Sequence, residues 1–366
     1  MKEILIAAYS LGLGGIETSL VTLLKELEKR YKITLVLEKK EGIFLEKIST
    51  NIKIIEYTPN NNSNIIIRKA INMIKQIKFK MKYKNKYEFS AAYATYSLSS
   101  GFVARTASKN SALWFHADYL TLNYNDKEKT REYYNSLKYN EYRKLVFVSQ
   151  EAKNNFIKLF PESKEKAVYC NNLIDGQSII EKSKEEIEEN DKKKINKKDE
   201  IIFLNIGRHD ERQKRLTRII QVAKKLKEEE LKFKIIFVGD GQDSETYKEQ
   251  VKQQELEDKI IFLGKKQNPY PYYRISDCVI LTSDYEGYPV VFLESMILKK
   301  PIITTKVSDY EQIENKFGMV TTKEIDDIYQ KAKKFIEEGY ELKETFDIQK
   351  YNKEIIDKIE NIINKD

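Results

Sequence analysis

Twice along this chain a short apolar run leads through a polar loop into an amphipathic helix and on into a second apolar run. The first instance goes from Glu3 to Ala8, through residues 9–15, to Ile16, Leu20, Leu23, Leu24 and Leu27 at helical spacing, and then to the run from Lys32 to Leu37. The second goes from Ile201 to Ile206, through residues 207–215 and a helix from Leu216 to about Glu228, to the run from Phe233 to Val238. A helix between two strands is the connection that parallel strands require, because a tight turn only reverses the chain. Both halves are therefore expected to be parallel α/β sheets covered by helices. Further runs at Phe89 to Tyr93, Ala112 to Phe115, Lys144 to Ser149 and Val168 to Asn171 extend the first sheet. Those at Lys259 to Leu263, Cys278 to Thr282 and Pro301 to Thr305 extend the second.

With 366 residues, 41% of them apolar, the chain is long for one core and rich enough in apolar side chains for two. From Glu181 to Glu200, fifteen of twenty residues are charged, which reads as a solvated linker or helix and marks the domain boundary. The expected domains are residues 1–178 and 179–348, leaving a last helix with Tyr351, Ile355, Ile359, Ile362 and Ile363 on one face. Cys170 and Cys278 lie in apolar segments and read as buried, reduced thiols, with neither a disulfide framework nor metal-ligand spacing. No apolar run reaches the roughly 18 residues of a membrane span, and the first residues enter a strand without a signal-peptide pattern. A cytoplasmic protein is expected.

The net charge of +8 favours anionic partners without choosing among them. Residues 65–87 concentrate it: Arg68, Lys69, Lys75, Lys78, Lys80, Lys82, Lys84 and Lys86 occur without one acid, while Ile67, Ile71, Ile74, Ile77 and Met81 keep a helical period. Two readings stand for this element. It lies on an anionic bilayer at the inner face of the plasma membrane, or it packs on its domain through the isoleucines with its lysines in water. Nucleic acid is not expected, since stacking aromatics are not interleaved and no recognition module appears.

The stretch from Leu281 to Lys300 holds the strongest motif. Glu286 and Glu294, with seven residues between them, flank the turn Gly287-Tyr288-Pro289, and Pro289 is expected at the first helical position. The amides that follow, near Tyr288 to Val290, and the helix dipole suit a phosphate. This segment resembles the signature of retaining GT-B glycosyltransferases of the family-4 kind. In that family the first acid lies near the transferred sugar and the second holds the nucleotide ribose.

The resemblance spans nearly the whole chain. Gly207-Arg208, followed by Lys214, is similar to the family's diphosphate clamp; Lys214 falls one residue later than usual, which leaves Arg212 as an alternative. Gly264 and Lys265 match the loop that holds the base through backbone groups. Gly14-Gly15-Ile16-Glu17 resembles the family's glycine loop, facing donor phosphates and acceptor. His116, just past a strand, corresponds to a histidine near the acceptor or transferred sugar, and an imidazole there can orient hydroxyls and carry a proton near neutral pH. His209 reads as incidental. A dinucleotide site competes at the first loop, because Gly12-x-Gly14 is followed by Glu38 where a ribose-binding acid would sit, but Glu17 stands at the third glycine and the loop is long.

The resemblance implies two Rossmann-like domains facing across a cleft, with helix 349–366 returning to the first. It implies sugar transfer from a nucleotide-sugar, a UDP-sugar by preference, to a hydroxyl with retention of configuration. It implies neither a cofactor nor a metal, the basic clamp standing in for a divalent ion. The acceptor expected is a lipid-linked glycan in cell-surface polysaccharide synthesis. Alternatives kept open are a sugar-nucleotide epimerase of the same fold, an inactive binding subunit and, at the Gly12 loop, an NAD-dependent oxidoreductase.

Overall fold

The computed structural model describes residues 1–12, 14–196 and 199–364. Leu13 of the glycine loop, Lys197 and Lys198 of the charged stretch, and Lys365 and Asp366 at the end of the returning helix lie outside the described residues. The chain forms two compact units, Met1–Ile174 with Gln349–Asp366, and Asp175–Ile348. Each is a Rossmann-like parallel sheet with helices, the fold class expected from the sequence.

Unit 1 holds strands β1 (Lys2–Ala8), β2 (Tyr31–Leu37), β3 (Lys53–Glu56), β4 (Phe89–Ala92), β5 (Ser111–Phe115), β6 (Lys144–Phe147) and β7 (Ala167–Tyr169), in the order β3-β2-β1-β4-β5-β6-β7. Unit 2 holds β8 (Ile201–Ile206), β9 (Phe233–Val238), β10 (Ile260–Gly264), β11 (Cys278–Leu281), β12 (Ile302–Thr305) and β13 (Gly318–Thr321), in the order β10-β9-β8-β11-β12-β13. Both orders reverse once, between β1 and β4 and between β8 and β11. At such a switch point the loops leaving two neighbouring strands turn in opposite directions and open a crevice at the strands' carboxyl ends. The loops after β8 and β11, residues 207–215 and 282–289, carry Arg208, Lys214 and Glu286 among the expected site residues.

The sheets are buried on both faces, as their continuous apolar strands require. In unit 2, Ile219, Ile220, Ala223 and Leu226 of the helix Leu216–Glu228 pack with Phe203, Phe233, Ile235 and Phe237 of the sheet. In unit 1, Phe115, Phe147 and Phe156 centre one cluster, while Leu5, Ala7, Val36 and Val103 form another with Phe79. The last helix, Ile348–Asn364, buries Ile355, Ile359, Ile362 and Ile363, and Asn352 exchanges hydrogen bonds with the backbone of Ile174.

Two expectations are corrected. The charged stretch 181–200 takes the helical one of its two readings and falls within unit 2, as the bounds 179–348 place it, but it is not simply solvated: the helix Glu189–Ile195 is anchored by buried Asp191. Asp191 takes a 2.6 Å ion pair from Lys266 and the hydroxyl of Tyr272, so the charges that suggest solvation hold the segment down. Nor does the basic helix Ile65–Tyr83 pack through its isoleucines, since Phe79 is its one buried residue and Ile66, Ile67, Ile74 and Ile77 face outward. Among the described residues no helix is long and apolar enough to cross a membrane.

Candidate functional site

The two loops at the unit 2 switch point are tied to each other by their backbones. The amide of Asp284 donates to the carbonyl of Gln213 at 2.8 Å, and the Thr282 hydroxyl reaches the carbonyl of Lys214 at 3.2 Å. Asp284 adds ion pairs to Arg215 at 2.6 Å and Arg218 at 2.8 Å. Burial works against ionising Asp284, but Arg218 and Arg215 outweigh it and hold its carboxyl below the ordinary range.

On this frame the Lys214 ammonium lies 2.5 Å from Glu286 Oε1, with the two side chains only 16% and 8% exposed. Ser283 Oγ donates to the same oxygen at 2.6 Å and Gln213 Nε2 to Oε2 at 3.2 Å. The backbone carbonyl of Glu286 accepts from Ser308 at 2.8 Å, so the carboxylate is fixed from both ends. Of the two candidate clamp cations, the structure brings Lys214 to Glu286; Arg212 is exposed, its amide bonded to Asp210 at 3.1 Å. Arg208 extends outward, 65% exposed, steadied by Gln213 at 3.0 Å and Asp210 at 3.3 Å.

Glu294 sits on the helix Val290–Ile297 in a separate network, where the Tyr273 hydroxyl donates to it at 2.5 Å. Burial raises its pKa, and hydrogen bonds from Tyr273 and Tyr270 oppose the rise. Pro289 caps this helix instead of opening it: its backbone is extended, at φ −70° and ψ 104°, and no side chain caps the terminus. The correction leaves the amides of the first turn, beginning at Val290, facing the loop end without a side-chain acceptor. Gly287 is half-buried, and buried Tyr288 fixes the turn by donating to Gln312 at 3.0 Å.

Gly264 ends β10 with φ +69°, a conformation that L side chains rarely adopt, and its carbonyl accepts from the Gly239 amide at 3.0 Å. Lys265 after it is exposed. Gly239 is required twice over, by φ +151° and because a Cβ there would meet the Gly207 carbonyl oxygen at 1.8 Å. This close approach packs the turn after β9 under the loop that carries Arg208 and Lys214.

His209, read as incidental from the sequence, is buried and fastens that turn. Its Nδ1 meets Ser244 Oγ at 2.8 Å, and Ser244 donates to Asp240 at 2.5 Å. Burial lowers its pKa, so a neutral ring braces the loop. His209 stands in the sequence between Arg208 and five further charged residues of the same loop, and no sequence signal separates it from them. Tyr270 and Tyr273 were visible as a Pro-Tyr-Pro-Tyr-Tyr run, but not as the partners of Glu294.

In unit 1, Gly14 caps helix α1 (Gly15–Leu27) with an extended backbone, and Glu17 on the first turn accepts from the Tyr96 hydroxyl at 2.8 Å. His116 follows β5, its Nε2 2.7 Å from the carbonyl oxygen of Tyr93. A carbonyl only accepts, so Nε2 carries the hydrogen and Nδ1 the lone pair. Burial brings its pKa down to about 4, which overturns the expectation of a proton carrier near neutral pH and leaves an acceptor for a hydroxyl. Glu38, the acid a dinucleotide ribose would need, instead accepts from the hydroxyls of Ser97 and Ser99.

The profile of the Glycosyl transferases group 1 family matches residues 186–354. That stretch is similar to a group 1 glycosyltransferase domain. It contains both switch-point loops, the end of β10 with Gly264 and Lys265, and the helix that carries Glu294, and so every expected donor residue. An uncharacterised glycosyltransferase of Methanocaldococcus jannaschii is 28% identical over 161 residues, an alignment that spans 44% of this chain and 39% of that protein. Among solved structures, Anabaena HepE, in complex with UDP and glucose, superposes with a TM-score of 0.77 at 18% identity, covering 98% of this chain and 99% of its own. Staphylococcus aureus TarM, in a complex that includes α-GlcNAc-glycerol and UDP, superposes at 0.75 with 14% identity and full coverage of both chains. These structural likenesses show a fold shared over the whole chain, two Rossmann-like sheets of GT-B type.

Proposed function

We propose that the protein is a retaining glycosyltransferase that moves a sugar from a UDP-sugar to a hydroxyl of a lipid-linked glycan in cell-surface polysaccharide synthesis. The observation that carries this reading is the buried Lys214–Glu286 pair at the unit 2 switch point, inside the stretch that matches the group 1 family, a cation and a carboxylate held side by side in the loops to which the resemblance assigns the donor. The UDP in the HepE and TarM structures supports the choice of base.

In this mechanism Lys214, Arg208 and the amides at the start of the Val290–Ile297 helix take up charge on the departing diphosphate. Single donors of that kind are commonly worth about 3 kcal/mol. Glu286 accepts from hydroxyls of the donor sugar and stabilises the oxocarbenium-like centre, with Ser283 and Gln213 fixing its oxygens. Glu294 holds the ribose, and Gly264 with Lys265 the base. The leaving phosphate takes the acceptor's proton, so no protein base and no metal is required. His116, neutral and with Nδ1 free to accept, orients a hydroxyl of the acceptor or the transferred sugar, beside the loop of Gly14 and Gly15.

The test is a thermal-shift panel of UDP-, GDP- and ADP-sugars and NAD on the wild type and Glu294→Ala. A shift with UDP-sugars that the variant weakens is expected. No shift with any sugar nucleotide, or a shift with NAD alone, sinks the reading.

A further inference from the structure

Helix α2 (Ile65–Tyr83) wears its side chains inside out. At roughly 100° per residue, Arg68, Asn72, Lys75, Phe79 and Tyr83 share one side, and Ile66, Ala70, Met73, Ile77 and Met81 share the opposite one. The first side is the packed one. Phe79 is wedged among Tyr57, Tyr83 and Phe102, Lys75 donates to the carbonyl of Thr58 at 2.8 Å, and Asn72 bonds the backbone of Asn60 in both directions. The second side stands in water, with Ile66 76% and Met81 79% exposed. Lys69 and Lys80 border this stripe on one edge, Lys78 and Lys82 on the other, and no acid occurs from residue 65 to 87. On the Lys80 edge the helix lines a cavity of about 340 Å³, whose wall includes Thr95, Ser97, Arg105 and Lys138. Glu141 pairs with Arg105 and Lys138, and Glu38 accepts from Ser97, so three cations meet two acids there and leave a net positive wall.

We propose that α2 lies in the headgroup layer of an anionic bilayer, its Ile66–Met81 stripe at the acyl boundary and a phospholipid phosphate in the cavity beside Lys80. Charge complementarity selects this occupant. A helix lying in the plane of a membrane meets headgroups along both edges of its apolar stripe, which is where the lysines are. The absence of any acid suits a uniformly negative surface better than a protein groove, whose rim carries both signs. The inference goes beyond the transferase reading and does not depend on it, since lipid binding needs no donor.

Co-sedimentation of the full chain with vesicles tests it, using phosphatidylcholine alone and phosphatidylcholine mixed with phosphatidylglycerol, at low and high salt. The wild type should sediment with the mixed vesicles only, and less at high salt. The exposed pair Met73→Glu/Ile77→Glu should bind at least roughly tenfold more weakly, and Lys80→Glu/Lys138→Glu several-fold more weakly. Both variants should keep the wild-type melting temperature and far-UV circular dichroism without any ligand, which separates lost membrane contact from a failure to fold whether or not the donor reading holds. Equal binding to neutral vesicles, or stripe variants that sediment like the wild type, would overturn the proposal. So would a dimer in light scattering that Met73→Glu/Ile77→Glu dissolves, which would give the stripe to a second copy. Wild-type binding by Lys80→Glu/Lys138→Glu would overturn the phosphate site.

Discussion

Without the ammonium of Lys214, the Glu286 carboxylate would keep only Ser283 and Gln213 as side-chain donors in a pocket nearly closed to water. Breaking a buried pair leaves one charge uncompensated, so Lys214→Ala should cost unit 2 about 3 kcal/mol in urea unfolding. The same variant should lower sugar transfer by roughly 10²-fold or more, the usual scale for losing one donor to a developing anion. His116 gives a pH signature of its own. The unfolded chain protonates this imidazole as pH falls through about 6.5, whereas the folded protein resists until about 4, so stability present above 6.5 is lost as pH falls toward 4. His116→Asn, which can still donate to the Tyr93 carbonyl, should flatten that acid limb by roughly 3 kcal/mol in urea melts at stepped pH. At this scale the sequence discloses residues better than partners. Glu286 and Lys214 stand out through the motifs around them, yet their contact spans 72 positions, and only the strand order brings the loops together. Glu294 is visible as the second acid of its motif, while the tyrosines that hold it belong to a different helix.

Most strands are legible because a parallel strand buried on both faces is a short apolar run and little else. The edge strands β3 and β13 escape notice for the converse reason: each has a single neighbour and four residues, mixed in polarity. Helix α3 (Leu98–Ala107) is missed because Ser99, Ser100, Gly101, Val103 and Thr106 dilute its better helix formers and blur its apolar period. A Cβ at Gly101 would come within 2.9 Å of the Tyr142 hydroxyl, so the helix can lie close only where side chains are small. In α2 the period is plain but not which side faces inward. Periodicity fixes a stripe and leaves its direction to whatever competes for the sheet, and here the ring of Phe79 takes that place. Phe79→Ala should therefore cost roughly 3–5 kcal/mol of unit 1 stability, although it is the one large residue α2 buries, and denaturant unfolding followed by far-UV circular dichroism would show it.

Across the whole molecule, the repeated strand–helix–strand pattern is enough to announce two doubly wound sheets, and the charged stretch puts the expected boundary close to the division after Ile174, but charge density says nothing of whether that stretch is solvated. The stretch 181–200 looks like a tether because Asp191 and its neighbours are ionic, and burial of an ionic group with its partner is invisible without the partner, Lys266. A fragment of residues 175–348 should consequently fold alone and show the sugar-nucleotide thermal shift, whereas one starting at 201 should not, having lost the Asp191 anchor. A chain ending at 348 should melt in two steps, with unit 2 unchanged and unit 1 weakened by exposure of the surface that covers Ile355, Ile359, Ile362 and Ile363. The same connectivity dictates an order of events during synthesis. Because unit 1 is begun by the first residues and completed by the last helix, it must wait on the ribosome with an apolar groove uncovered while all of unit 2 emerges and folds. The nascent chain is thus most exposed to aggregation, and most in need of a chaperone, in its first half, which is made first and finished last.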